Sequence, residues 1–180
     1  LSRPPQSSKP FSAIERRAVA SLASLYGFRM LGLFMVLPVL ALYQHQYVGA
    51  SPLLLGLALG IYGLTQAVLQ IPLGLLSDKI GRRPVIVAGL LMFVLGSLVA
   101  AMADTMIGLV IGRGLQGMGA IASTLMAMVT DLTSEEKRTV AMASIGASIG
   151  LSFVLAMIVG PLVAAALGLS GIFWFTALLG

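Results

Sequence analysis

Residues 74–84 read Gly74-Leu75-Leu76-Ser77-Asp78-Lys79-Ile80-Gly81-Arg82-Arg83-Pro84, a short charged break between two long apolar runs. Apolar stretches of about 20 residues, the length a helix needs to cross a bilayer, flank it and recur along the chain. Asp78 closes one such run, where the helix dipole disfavours an anion, and Asp131 closes another. Two acids so placed need cations, and Arg82 and Arg83 are the nearest. A planar guanidinium bridges two carboxylates, so the pattern predicts an Asp78–Arg82–Asp131 network. Gly74 permits close helix approach, and Gly81 a left-handed turn within a loop of about six residues.

Composition agrees with membrane spans. Apolar residues make up 58% of the chain and charged ones 9%, with mean hydropathy +1.03; soluble domains carry about 25% charged residues. The net charge of +5 comes from short clusters between apolar runs, not from a patch of the kind nucleic acid binds. The chain has no cysteine. No ligand cluster, nucleophile–base arrangement or phosphate loop implies a metal, an enzyme or a cofactor. The Gly112-x-Gly114 and Gly117-x-Gly119 pairs lie inside an apolar run and follow no strand, so they do not form a dinucleotide site.

The expected fold is all-α and polytopic, with a polar tail over residues 1–12 and a bundle over 13–180. Ser12-Ala13-Ile14-Glu15 is a capping box that opens helix 1, whose spanning part is about Ala18 to Tyr43. Ser51-Pro52 opens helix 2, to about Ser77; Asp78 to Arg83 is the tight loop, and Pro84 starts helix 3, to about Ala103. Asp104-Thr105 caps helix 4, to about Thr130, and Thr133-Ser134-Glu135-Glu136 reads as a second capping box before helix 5. Gly168 and Ser170 turn into a sixth run that stops at Gly180, so the sequence is expected to be the N-terminal part of a chain about twice as long. Arg3, Lys9, Arg16, Arg17, Lys79, Arg82, Arg83, Lys137 and Arg138 fall on one side of this topology and no Lys or Arg falls in the opposite loops. The positive-inside rule makes the side with nine cytoplasmic, the N-terminus included. Arg29 paired with Arg113, and Pro72 with Pro161, suggest a three-plus-three repeat.

The Gly-x-x-x-Asp-Lys-x-Gly-Arg-Arg pattern at 74–83 resembles the loop between helices 2 and 3 of the major facilitator superfamily. Leu109-x-x-x-Arg113-x-x-Gln116-Gly117-x-Gly119-Ala120 is similar to that family's helix 4 motif. Gly160-Pro161 resembles part of its antiporter motif, with Ala156, Ala164 and Ala165 where glycines are expected. Leu31-Gly32 and Pro38-Val39 resemble the helix 1 motif of drug:proton antiporters, with Ala41 in place of a second proline. The resemblance implies the N-terminal six-helix half of a twelve-helix transporter in the inner membrane. It implies alternating access around a central cavity and proton-coupled export of small hydrophobic compounds. A metabolite facilitator or symporter, or a non-transporting receptor on the same scaffold, are the alternatives. The implied partners are a small-molecule substrate, protons, the lipid bilayer and the missing C-terminal half. Gly74, Asp78, Lys79, Gly81, Arg82, Arg83 and Asp131 would form a conformational latch engaging a helix of that half. Pro38, Gly117, Gly160 and Pro161 would be packing or hinge positions.

Five further side chains are cavity or coupling candidates: Arg29, Gln66, Gln70, Arg113 and Gln116. An arginine inside a span costs at least ~2.5 kcal/mol on insertion scales and needs a structural or functional return. For Arg113 the resemblance implies proton transfer or charge balance near the substrate cavity; the alternative is capping of carbonyls on helix 1. Arg29 lies near the middle of helix 1, and no Asp or Glu falls inside any span, so its partner is a polar neighbour, a backbone carbonyl, a carboxylate of the missing half or the substrate. Tyr62, Gln66 and Gln70 form an i, i+4, i+8 row suited to lining a cavity; Ser144, Ser148 and Ser152 form another suited to helix packing. His45 reads as a solvated loop residue, and Phe173 with Trp174 as an interfacial belt.

Overall fold

The computed structural model describes residues 11–180. Six α-helices account for most of them: α1 Ala13–Tyr43, α2 Pro52–Ile80, α3 Arg82–Ala101, α4 Met106–Met118, α5 Ala122–Leu132 and α6 Arg138–Leu179. Among the described residues there is no strand, only an isolated bridge between Val48 and Thr105. The predicted tail up to Pro10, with Arg3 and Lys9, lies outside the described residues.

Helix starts follow local chemistry. Glu15 N–H donates to Ser12 Oγ at 3.2 Å and Ser12 N–H to Glu15 Oε2 at 2.8 Å, which completes the first capping box. Ser51 Oγ accepts from Leu54 N–H, with Pro52 at the first turn, and Thr105 Oγ1 accepts from Gly108 N–H. The second predicted capping box does not form. Thr133 Oγ1 instead donates back to Val129 O at 2.7 Å, Ser134 makes no side-chain cap, and Glu135–Lys137 is a 3-10 turn. A distant residue supplies what the box would have supplied: Glu15 Oε1 accepts from Ser134 N–H at 3.2 Å, and its Oε2 pairs with Lys137 Nζ at 2.8 Å.

Five segments are long and apolar enough to cross a membrane, counting Met106–Leu132 as one. That segment departs from the expected continuous helix 4. It breaks at Gly119–Ile121 into α4 and α5, each shorter than the roughly 20 residues a crossing needs. Gly119 lowers the cost of leaving the helix, and its backbone lies against Gly89, whose carbonyl would sit 2.2 Å from any Cβ added there. Gly119, Ala120 and Ile121 are all buried, the condition under which broken backbone is tolerated at membrane depth.

The predicted sixth run follows a kink within Arg138–Leu179. Gly168 (φ 70°, ψ −175°) interrupts the helical conformation, and the chain then returns along α1 and α3. Thr176 Oγ1 donates to Gly32 O at 3.2 Å, and a Cβ on Gly180 would lie 2.8 Å from the Phe93 ring. Phe173 is fully buried, so of the predicted aromatic belt only Trp174 is exposed; Phe173 instead joins the core with Met35, Val36 and Leu40.

α1 packs along α6, while α4 lies between α2 and α3. Glycines set the closest spacing: a Cβ on Gly96 would stand 2.3 Å from Gln116 N, and one on Gly112 2.6 Å from Ala100 N. At one end, which carries Glu15, Asp78, Arg82, Asp131 and Lys137, ion pairs join the helices. At the other, Val48 N–H donates to Asp104 O and Met106 N–H to Val48 O, which ties the two loops together. Buried Tyr47 sits in this far loop, and burial pushes its phenol up to about 12. His45 is exposed beside it.

Candidate functional site

The charged end is tighter than the sequence suggested. Asp78 and Lys79 belong to the last turn of α2, and Arg82 and Arg83 to the first turn of α3, so the expected six-residue loop contracts to Gly81. Gly81 turns the chain with φ 98° and donates its N–H to Ser77 O at 3.1 Å. This conformation is costly for any residue with a Cβ. Arg82 then stands between three oxygens. Its Nη1 pairs with Asp78 Oδ1 and donates to Ser77 Oγ at 2.7 Å, and its Nε donates to Asp131 Oδ2 at 3.1 Å. One guanidinium therefore joins α2, α3 and α5. Gly74 faces α5, where Ser123 Oγ would lie 3.1 Å from an added Cβ, and Ser123 Oγ donates to Gln70 O at 2.8 Å. Lys79 and Arg83 are exposed and make no ion pair among the described residues.

The second constellation lies in the bundle interior, where Arg29 and Arg113 are each about 1% exposed. Arg113 Nε donates to Ala58 O at 3.2 Å, so the carbonyl it caps belongs to α2 rather than to helix 1. Its Nη1 donates to Gln116 Oε1 at 2.8 Å; Gln116 Nε2 donates to Ser97 Oγ at 2.8 Å, and Ser97 Oγ to Phe93 O at 2.7 Å. The Arg113 guanidinium also lies 5.0 Å from the Tyr62 ring centroid. Charge spread over an aromatic face, a carbonyl and an amide offsets part of the cost of burying it.

Arg29 is less well served. Its guanidinium lies 4.5 Å from the Phe93 centroid, and Nη2 reaches Tyr62 Oη at 3.5 Å, the limit of a hydrogen bond. Its Nη1 is buried with no hydrogen-bond partner among the described residues, as are Gln66 Oε1, one turn from Tyr62, and Thr124 Oγ1 on α5. Tyr62 thus serves both cations, with its ring towards Arg113 and its hydroxyl towards Arg29. Buried polar groups left unpaired are uncommon and call for an explanation.

The packing positions divide. A Cβ on Gly117 would fall 2.0 Å from Thr65 Oγ1 and 2.3 Å from Tyr62 O, and one on Gly160 2.9 Å from Met35 O. Pro38 and Pro161 sit within α1 and α6. In the serine row, Ser152 Oγ bonds Gly27 O across to α1 at 2.7 Å, whereas Ser144 bonds only its own helix. Sequence reasoning missed Phe93, Ser97 and Ser77. Ser97 carried a signal as a lone hydroxyl in an apolar run; Ser77 lay unremarked within the hairpin motif. Nothing marked the Glu15–Lys137 pair, 122 residues apart.

Apolar helices of membrane-crossing length, a charged hairpin clamped by one arginine and two buried arginines define a polytopic membrane protein with candidate sites at its charged end and in its interior. The model of the Major Facilitator Superfamily matches residues 22–180, and the chain belongs to that family, one of transporters rather than enzymes. It is 55% identical over 165 residues to the inner membrane transport protein YajR of Escherichia coli K12, covering 92% of this chain and 36% of that protein. An uncharacterized transporter of Buchnera aphidicola is 42% identical, over 92% of this chain and 43% of its own length. The class B tetracycline resistance protein of Escherichia coli is 30% identical over 72% of this chain and 33% of its length. The chain therefore spans less than half the length of these relatives.

Proposed function

We propose that the whole protein is a secondary active transporter exporting small hydrophobic compounds in exchange for protons, with this chain as its N-terminal six-helix half. It lies in the inner membrane with the N-terminus cytoplasmic, and moves between inward- and outward-open states by rocking against the other half. The observation that carries the reading is Arg82, held at once by Asp78, Ser77 and Asp131. Three helices fastened at one end form a rigid face on which Asp78, half exposed, is free to meet a second bundle. Lys79 and Arg83 border this latch. Arg29, Tyr62, Gln66, Arg113 and Gln116 form the coupling centre, and Gln70 lies on the same helical row. The tetracycline resistance relative supports export.

A symporter or facilitator is the second reading, and one observation favours it. The acids of this chain, Glu15, Asp78, Asp104, Asp131, Glu135 and Glu136, all lie at helix ends or in loops, so a carboxylate carrying protons through the membrane would come from the other half. Inverted vesicles containing the full-length protein and an imposed proton gradient separate the readings. Export in exchange for protons dissipates the gradient when specific compounds are added, and Asp78→Asn reduces that response severalfold while insertion is preserved. An undisturbed gradient, with direct uptake of labelled metabolites, selects the second reading; a wild-type response in Asp78→Asn removes Asp78 from the latch.

A further inference from the structure

Beside the charged hairpin, α2 and α3, with Met118 of α4, enclose an apolar groove of about 300 Å³. Leu69, Leu73 and Leu76 form one wall and Pro84, Ala88 and Met92 the other, with no polar side chain in the lining. Lys79 and Arg83 stand at its charged end, each the chain neighbour of a lining residue, Ile80 and Pro84. Both are exposed and without an ion pair among the described residues, whereas Arg82 between them is occupied by Asp78 and Asp131. Residues 1–10 contain no acid that could neutralise them. The hairpin thus holds two kinds of cation: one satisfied within this half, and two without a partner among the described residues, at the mouth of an apolar groove.

We propose that this groove is a binding site for an anionic phospholipid, with its phosphate at Lys79 and Arg83 and one acyl chain along α2 and α3. The dimensions agree. From Ile80 to Leu69 is eleven residues, roughly 16 Å at 1.5 Å per residue, and half of a hydrocarbon core of about 30 Å is about 15 Å. The groove is one leaflet long, with its charges at the level of the headgroups. A neutral lipid or a soluble anion matches only one of the two features, and a wholly apolar helix would leave both cations without a counter-ion. Lipid held here would sit against the α2–α3 junction and favour the hairpin in its clamped form.

The test uses full-length protein exchanged into micelles containing phosphatidylglycerol or phosphatidylcholine, with bound lipid counted by native mass spectrometry. Wild type should retain phosphatidylglycerol preferentially. Basic residues near an anionic lipid contribute about fivefold each, so Lys79→Gln/Arg83→Gln should lower the preference by roughly thirtyfold or less, and by at least fivefold. Ala88→Trp, which fills the groove and keeps both cations, should abolish retention as well. No preference in wild type overturns the site, and so does a preference that survives either variant; survival in Ala88→Trp alone would mean headgroup adsorption without the groove. Phosphatidylglycerol carrying a photoreactive acyl chain tests the unaltered protein: labelling within residues 69–92 supports the site, and labelling only elsewhere overturns it.

Discussion

Tyr62 shows how much one side chain carries in the interior. Its ring faces Arg113 and its hydroxyl reaches Arg29, but the two contacts differ in strength. Tyr62→Phe keeps the ring and deletes only the 3.5 Å contact, so it should cost less than ~1 kcal/mol of stability. It should nonetheless alter coupling, because Arg29 then keeps only Phe93. Arg113→Ala should be far more damaging. It strands Gln116 Oε1 and Ala58 O in the core, and at about 1–3 kcal/mol for each unsatisfied group the loss should reach roughly 2 kcal/mol or more. Thermal unfolding of the two full-length variants in detergent, beside their proton-linked flux, checks both expectations. Equal destabilisation would mean that the hydroxyl contact matters as much as the Arg113 network.

At the scale of elements, close glycine contacts distinguish α3 and α4 from the stretch of α6 around Gly146 and Gly150. Gly96→Ala would press a methyl group to 2.3 Å from backbone N of Gln116, where nothing flexible can yield. Overpacking of this kind costs about 1–3 kcal/mol, so Gly96→Ala should lower the unfolding temperature of the full-length protein. An added Cβ on Gly146 meets nothing within 4 Å among the described residues; Gly146→Ala should leave that temperature unchanged or raise it, and a drop would show that the other half packs against this face. Helix positions were legible in the sequence because apolar length and capping residues are local properties. The 3-10 turn at Glu135–Lys137 was not legible, because the group that replaces its cap, Glu15, comes from the other end of the chain. The α4–α5 break was equally hidden. Gly119 could be read as a packing glycine, but the opposing Gly89 that lets the backbone turn there is known only after folding.

Over the whole molecule, ion pairs gather at one end and backbone bridges at the other. The Glu15 carboxylate caps its own helix, receives Ser134 N–H and pairs with Lys137, so it fastens the start of α1 to the turn before α6. Glu15→Gln should release that turn, and limited trypsin digestion of the full-length protein should then cut after Lys137 or Arg138 faster than in wild type. Unchanged cleavage would show that Phe11, which lies 5.6 Å from Lys137 Nζ, and local packing hold the turn without the carboxylate. The Arg82 network could be read from the hairpin because the acids and the base were set against helix dipoles. The Arg29–Tyr62–Phe93 meeting point could not, since three separate helices supply it.

The joint at Gly119–Ile121 has a mechanical consequence. A straight rod through the membrane would carry any tilt at Asp131 undiminished to Arg113. An articulated crossing would distribute it: α4 is held by Thr65, Ser97 and the glycines, whereas α5 is held by Gln70 and, at its far end, by Arg82. On the proposed latch, a tilt imposed at Asp131 would then be taken up partly at the joint before it reached Arg113.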